Sequence, residues 1–218
     1  MLRSFGFHRQ GDERNVLTLN ALLLGERQSG RSSVGNALIG GEEFQTGICI
    51  SGTSTTRQCQ LLRRNFSNFF RRQGAESDLT LRVLDTPPLV PCQHRVHQLF
   101  PEGVHVVVLV ARVDLTCDNT HLEEHAEALL GPEWHRHTLL VLTFADHLKK
   151  AGLRPTDYLT QTGDRLRALA EKVQGGVFFL DNSCDWPTMR GRPLREALLR
   201  LSASNHHRAL RVLTKDVQ

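Results

Sequence analysis

The sequence predicts an α/β fold in which a mainly parallel β-sheet carries helices on both faces. Three observations favour this fold class: apolar β-rich runs alternate with segments of helical periodicity, two of these runs are continuously apolar, and a glycine-rich turn follows the first run. In folds of this kind ligands bind beyond the carboxyl ends of the strands. Functional residues are therefore expected where each predicted strand ends.

Six strands and four helices are predicted, and helices separate most of the strands. The strands cover residues 16–24, 56–66, 79–84, 104–110, 138–144 and 177–180. The helices cover a segment that begins at Ser32, and residues 122–130, 158–173 and 193–201. The run at 104–110, VHVVVLV, belongs at the centre of the sheet, because a continuous β-branched run fits a parallel strand covered on both faces.

The composition is that of one globular domain. Of 218 residues, 39% are hydrophobic and 23% are charged, and no linker or low-complexity segment divides the chain. The net charge of +4 is spread along the sequence, so the basic clusters near Arg63 and Arg71 indicate solvated strand ends rather than a nucleic-acid surface. Five scattered cysteines without a C-x-x-C pair, and no signal-like or membrane-spanning segment, predict a reducing, cytoplasmic location.

The glycine-rich turn at residues 25–32, GERQSGRS, has the pattern of a phosphate-binding loop. Such a P-loop needs glycines at both ends, here Gly25 and Gly30, so that backbone N–H groups can surround an anion at the positive end of the next helix. The next two positions are normally Lys, which reaches the β- and γ-phosphates, and Ser or Thr, which binds Mg²⁺. This chain has Arg31 and Ser32 there. Arginine is longer and forked, so weakened nucleotide binding is expected.

A series of motifs in order makes the sequence resemble the GIMAP family, the GTPases of immunity-associated proteins. They are the extended P-loop GERQSGRSSVGNALIG at 25–40, a first switch STTRQCQ at 54–60, a second-switch entry LDTP at 84–87, a helix end ALLG at 128–131, a base-recognition segment LTFADHL at 142–148 and a base-proximal loop FLDN at 179–182. The length and the element A-G-L-x-x-x-x-Y-L at 151–159 are similar to a short, single-domain branch, the P-loop NTPase domain-containing branch.

The resemblance implies a P-loop NTPase fold, a Ras-like G domain with a mainly parallel six-stranded sheet flanked by helices on both faces. It places the G domain at residues 16–205, with an N-terminal extension at 1–15 and a C-terminal tail at 206–218. It also implies GTP or GDP with Mg²⁺ as ligands and a homodimer through the nucleotide face. The residues expected at the nucleotide are Gly25, Glu26, Arg27, Gln28, Ser29, Gly30, Arg31, Ser32, Ser33, Thr56, Asp85, Asp146, His147 and Asn182, with Mg²⁺ on Ser32, Thr56 and Asp85.

Three departures from the family pattern bear on activity. Arg31 replaces the P-loop Lys, and Pro88 replaces a second-switch glycine whose N–H normally meets the γ-phosphate, a donor that proline lacks. In the base-recognition segment, Ala145 stands where the family has a Lys, and His147 stands where it has the Asp that binds guanine. The nearest Asp in this chain, Asp146, lies one residue before that position, so its side chain is expected to point in another direction. We therefore expect weak or absent hydrolysis, assign no catalytic residue, and leave guanine preference open at this stage.

Other function classes have less support. The main alternative is a nucleotide-free pseudo-GTPase scaffold, and an NTP-hydrolysing enzyme without guanine preference has no positive evidence. The H-x-x-E-H pattern from His121 to His125 matches some zinc peptidases but lacks a third ligand, so an exposed helix face is the better interpretation. His94 and His97 are interpreted as surface histidines.

Overall fold

A six-stranded sheet forms the middle layer of the fold. The computed structural model of the chain describes residues 15–46, 58–72, 74–88, 92–114, 120–183 and 187–214. The strands lie in the order β2-β3-β1-β4-β5-β6, and every neighbouring pair is parallel except β2 with β3. The predicted fold class is confirmed. The strands are β1 (Asn15–Gly25), β2 (Gln60–Arg72), β3 (Ala75–Asp85), β4 (Val106–Arg112), β5 (Thr138–Thr143) and β6 (Val177–Phe179).

Helices connect the strands and cover both faces of the sheet. The described α-helices are α1 (Arg31–Ile39), α2 (Gln93–Leu99), α3 (Thr120–Leu130), α4 (Asp146–Lys150), α5 (Pro155–Gln161), α6 (Asp164–Lys172) and α7 (Pro187–Ser204). A 3-10 helix at Pro132–His137 leads directly into β5. Among the described residues no helix combines the length and the apolar character needed to cross a bilayer.

Along the second half of strand β1 the apolar residues follow one another and do not alternate with polar residues, because the strand is buried on both faces. Leu22 and Leu24 belong to one buried cluster, which also contains residues of α2, α3 and α6, whereas Leu19 and Leu23 belong to a second cluster with residues of α1 and α7. Successive side chains of a strand point to opposite faces. Both faces of β1 are therefore buried under helices, and both must be apolar.

Several predicted boundaries are wrong. The single helix predicted at 158–173 is two helices, α5 and α6, because Thr162 and Gly163 have extended backbones that interrupt it. The strand predicted from residue 104 begins at Val106, and the last helix begins six residues before Pro193, which lies inside it. Strand β2 starts at Gln60 and continues to Arg72, beyond the predicted end at 66.

The described part of the C-terminal tail packs on the domain. Leu210 forms an isolated antiparallel bridge with Val104, and the N–H of Leu213 donates to the carbonyl of Leu129 at 2.8 Å. Gly103 permits this contact: its φ is +101°, and a Cβ there would lie 2.3 Å from the carbonyl oxygen of Leu210. The tail therefore lies against the amino-terminal end of β4.

Candidate nucleotide-binding site

The carboxyl ends of the parallel strands bring the predicted motifs to one edge of the sheet. Leu23 of β1 pairs with Asp85 of β3, Gly25 pairs with Val110 of β4, and Arg112 at the end of β4 pairs with Thr143 at the end of β5. The P-loop, the second-switch entry and the base-recognition segment therefore begin side by side. This is the edge at which folds of this class bind ligands.

The P-loop has a shape that depends on its two glycines. Gly30, at the start of α1, has φ +88°, and a Cβ there would lie 3.1 Å from Cγ2 of Thr143. A Cβ on Gly25 would lie 2.6 Å from Oγ of Ser29 and 2.7 Å from the carbonyl oxygen of Val110. At both glycines the backbone therefore lies too close to its neighbours for a side chain to fit. A loop that wraps an anion at a helix N-terminus requires such close approach of its backbone.

The predicted phosphate-binding side chains occupy different depths of the loop. Ser29 is buried, Ser32 and Ser33 are half-buried like Glu26, and Arg27 and Gln28 are exposed on the rim. Gln28 has a left-handed backbone with φ +58°, and the N–H of Ser29 donates to the carbonyl of Glu26 at 3.3 Å.

Arg31 lies inside the protein. Its side chain is only 5% exposed, and its guanidinium donates a hydrogen bond to the carbonyl oxygen of Thr86. Its Nε lies 3.9 Å from Oδ1 of Asp85. Burial lowers the pKa of the guanidinium, and the Asp85 carboxylate opposes that effect. The cation of the P-loop therefore contacts the second switch in this structure.

Two of the three predicted Mg²⁺ ligands contact each other. Ser32 Oγ donates to Asp85 Oδ2 at 2.8 Å, and Asp85 is 1% exposed. A hydroxyl and a carboxylate at one phosphate loop suit Mg²⁺, which takes few protein ligands and completes its shell with phosphate oxygens and water. The third predicted ligand, Thr56, lies outside the described residues.

The second-switch entry is held to the strand it follows. Thr86 Oγ1 donates to the carbonyl of Leu23 at 2.9 Å, and Thr86 is buried. Pro88 is half-buried two residues later and has no N–H to offer a phosphate. This entry therefore keeps the carboxylate that is predicted to bind Mg²⁺, but Pro88 cannot supply the backbone donor expected from the resemblance.

The base-recognition segment is tied to the P-loop by Thr143. Its hydroxyl donates to the carbonyl of Ser29 at 2.6 Å, and the carbonyl of Ala111 lies 3.2 Å from the same oxygen. The next residue, Phe144, has φ +59°, and its N–H donates to Oδ1 of Asn182 at 2.9 Å. Asn182 therefore positions the turn that follows β5.

Asp146 and His147 differ in their surroundings. Asp146 is 8% exposed, and its Oδ2 accepts from Nζ of Lys150 at 3.0 Å, whereas its Oδ1 is buried and has no hydrogen-bond partner within the described part of the chain. The side chain of His147 is 42% exposed, and its Nδ1 lies 3.1 Å from Oδ2 of Asp114. Of the two, only Asp146 has a buried side-chain oxygen without a hydrogen-bond partner among the described residues.

Sequence reasoning missed Arg112. Its guanidinium makes two hydrogen bonds to the carboxylate of Asp114, at 2.8 and 2.6 Å, and these hydrogen bonds lower the pKa of Asp114. It also donates to the carbonyl of Gln28 at 3.4 Å and lies 4.0 Å from the centre of the Phe144 ring. The sequence did contain a signal for this residue, since a charged side chain follows the apolar run of a predicted buried strand.

The histidine pattern on α3 lies on a partly exposed face of the helix. His121 is exposed and lies 3.8 Å from Glu124, and His125 is half-buried. No group of three metal-ligating side chains occurs within the described ranges. His94 and His97 are both exposed.

The sheet order and the strand-end site define a P-loop GTPase-type G domain. The chain belongs to the AIG1 family, whose model matches residues 19–201.

Solved structures of Toc33 from Arabidopsis thaliana have this fold. The complex with GDP and Mg²⁺ is 21% identical, with 90% of this chain and 88% of that chain covered and a TM-score of 0.59. The complex with Mg²⁺ and GMPPNP is also 21% identical, with 89% and 88% covered and a TM-score of 0.59. A dimerization-deficient mutant of Toc33 is 20% identical, with 89% and 88% covered and a TM-score of 0.57.

Proposed function

We propose that this member of the AIG1 family is a GIMAP-type protein that binds a guanine nucleotide with Mg²⁺ and hydrolyses GTP slowly or not at all. It acts as a switch or an assembly module. The shape of the phosphate loop carries the proposal, because added side chains at Gly25 and Gly30 would lie 2.6 and 3.1 Å from their nearest neighbours. Such close approach of backbone is what a phosphate cradle requires.

Phosphate binding follows from the loop and its two oxygen ligands. The backbone N–H groups at the start of α1 carry the positive end of the helix dipole and face the position of an anion. Ser32 Oγ and Asp85 Oδ2, 2.8 Å apart, would hold Mg²⁺ by exchanging their mutual hydrogen bond for metal contacts. When bound, Mg²⁺ neutralises charge on the phosphate oxygens.

Guanine preference is assigned to Asp146. Its buried Oδ1 is an acceptor without a partner in the described residues, and guanine presents N1–H and an exocyclic amine as donors. Adenine presents an acceptor at N1, so it would leave the carboxylate unsatisfied. A buried polar group that only the correct ligand satisfies is an effective discriminator.

Weak hydrolysis is inferred from two residues. Arg31 is buried against Thr86, and Pro88 offers no N–H at the second switch. Both changes remove contacts that stabilise a transferring γ-phosphoryl group. A partner would restore them: for Toc33, a protein of the same fold, dimerization is described as important for the GTPase activity. We extend to this chain a homodimer through the nucleotide face.

A nucleotide-free scaffold is the second candidate, and Arg31 favours it. Its guanidinium joins the P-loop to the second switch through its contacts with Thr86 and Asp85. A loop that is stabilised in this way does not need a nucleotide to hold its conformation.

Calorimetric titration of nucleotide-stripped protein with GDP, GTP and ATP, each with and without Mg²⁺, separates the two candidates. We expect Mg²⁺-dependent heat with GDP and none with ATP. The Ser32→Ala variant should lose the Mg²⁺-dependent part, whereas Ser67→Ala, an exposed serine on β2, should not. Absence of heat with all three nucleotides at millimolar concentration would overturn the proposal in favour of the scaffold. Heat with GDP but not GTP would identify Pro88 as a block at the γ-phosphate.

A further inference from the structure

The base-recognition segment contains an aromatic residue in an unusual conformation. Phe144 directly follows β5 and has φ +59°, in the left-handed region that bulky side chains rarely adopt. The sequence pattern gave this position no function. Backbone strain of this kind persists only where the surroundings hold it, and it is most common at ligand sites.

Three hydrogen bonds hold Phe144 in place. Its own N–H donates to Asn182 Oδ1 at 2.9 Å, the N–H of Ala145 donates to the carbonyl of Leu180 at 3.1 Å, and the hydroxyl of Thr143 donates to the P-loop carbonyl of Ser29 at 2.6 Å. These bonds connect the turn to both the loop after β6 and the phosphate loop. The backbone of Phe144 is therefore fixed relative to the phosphate site.

One face of the ring is supported by a cation. The guanidinium of Arg112 lies 4.0 Å from the ring centre, and Asp114 fixes its plane through two hydrogen bonds. Arg112 also donates to the carbonyl of Gln28 in the P-loop at 3.4 Å. The ring is half-buried, and the His147 ring lies 5.7 Å from it, centre to centre, in a tilted arrangement. A planar cation behind an aromatic ring is a favourable and well-oriented support.

We propose that Phe144 is the stacking platform for the nucleotide base and that Arg112 is the positioning residue behind it. Ala145 stands where the family that the sequence resembles has a Lys, and its methyl group offers little surface to a base. Phe144 supplies the flat apolar surface instead, and Arg112 supplies the link to the P-loop carbonyl. Asp146, two residues further on, then reads the edge of the base whose face lies on Phe144.

This inference rests on the proposed nucleotide binding, and its test separates base binding from phosphate binding. Wild-type protein and the variants Phe144→Ala, Phe144→Leu and Phe144→Trp are titrated with GDP and with inorganic pyrophosphate, both in the presence of Mg²⁺. Loss of the ring in the first two variants should weaken GDP roughly tenfold to a hundredfold, the usual range for base–aromatic stacking, and leave pyrophosphate unchanged. Phe144→Trp should retain GDP binding and show quenching of its added fluorescence by GDP.

The matched control is Phe69→Ala, which removes a half-buried ring from β2 near the opposite edge of the sheet. Its affinity for both ligands should equal that of the wild type. Thermal unfolding of each variant checks that the fold is retained, and Phe144→Leu keeps the test valid if Phe144→Ala does not fold.

Arg112 is tested by the same pair of ligands. Arg112→Ala should weaken GDP by about threefold to tenfold, in the range of a modest cation–π contact, and should change pyrophosphate affinity less, because only the long hydrogen bond to the Gln28 carbonyl reaches the P-loop. Arg112→Lys should restore part of the loss, and Arg154→Ala, an exposed arginine paired with Asp157, should have no effect.

Four results would overturn the assignment. Equal losses for GDP and pyrophosphate in Phe144→Ala and Phe144→Leu would indicate an effect on the fold or the P-loop. Wild-type affinity for GDP in both variants would exclude stacking on the ring while leaving nucleotide binding intact. Wild-type protein that binds pyrophosphate but not GDP would exclude a base site, and wild-type protein that binds neither would remove both proposals.

Discussion

At the scale of single residues, Arg31 decides how accessible the phosphate loop is. Its guanidinium is committed to the carbonyl of Thr86 and lies 3.9 Å from Asp85, so a nucleotide would have to compete for the same cation. A lysine ammonium is more compact and has no planar fork to satisfy. The side chain at this position therefore connects nucleotide affinity to the conformation of the second switch.

We predict that Arg31→Lys raises affinity for GDP by about tenfold, because the ammonium can reach phosphate without leaving a forked cation buried. Calorimetric titration measures the change, and Arg154→Lys on the surface serves as the control. An unchanged dissociation constant would show that Arg31 does not limit binding.

Asp146 is expected to set the choice of base. Asp146→Asn should weaken GDP by at least about tenfold, because an amide loses the charge-assisted acceptor that guanine needs. The same variant should gain affinity for xanthosine diphosphate, whose C2 carbonyl accepts from an amide N–H. His147→Asn provides the comparison and should change base preference less, since Nδ1 of His147 lies 3.1 Å from Asp114 and its Nε2 lies farther from Asp146, at 3.7 Å. A larger effect at His147 would reverse the assignment.

Cys59 is predicted to be the most pH-sensitive thiol among the described residues. The thiol of Cys92 donates to Cys59 and lowers the pKa of Cys59 to about 7, while the pKa of Cys92 is raised. A lowered thiol pKa means more thiolate at neutral pH, so alkylation of Cys59 by iodoacetamide should be half-maximal near pH 7. Cys92→Ala should move this midpoint upward. Mass spectrometry of the modified peptide measures it, and an unshifted midpoint would contradict the contact.

At the scale of elements, strands were predictable where both faces are buried. The runs that became β4 and β5 are apolar except at their ends, because helices cover them on each side. The break between α5 and α6 was not predictable from the sequence, because the apolar spacing of Leu159 and Leu166 continues across it. The Arg112–Phe144 contact was also beyond the sequence, because it joins two strands and depends on a left-handed backbone.

The contact between β4 and the tail gives a prediction at this scale. Gly103→Ala should lower the free energy of unfolding by about 1–3 kcal/mol, because φ is +101° and the new Cβ would lie 2.3 Å from the carbonyl oxygen of Leu210. Gly152→Ala is the matched control: φ is +67°, but no atom lies within 4 Å of the added Cβ. Urea denaturation compares the two, and equal losses would mean that strain alone, rather than the tail contact, determines the effect.

At the scale of the whole molecule, the nucleotide edge is the surface on which assembly is expected. We predict a homodimer in the presence of GMPPNP and Mg²⁺, measured as a doubled mass by light scattering after gel filtration. Arg27→Glu, on the exposed rim of the P-loop, should return the protein to a monomer, whereas Arg136→Glu, before β5 at the opposite edge, should not. A monomer under all nucleotide conditions would exclude this assembly.

The bridge between Val104 and Leu210 also has a practical meaning for such experiments. It places the described end of the chain at the amino-terminal end of β4, on the far side of the sheet from the P-loop. A label or linker attached at residue 214 therefore lies at the end of the sheet opposite the proposed nucleotide site. Protein immobilised in this orientation would present its strand-end edge to solution, open to nucleotides and to a second copy of the chain.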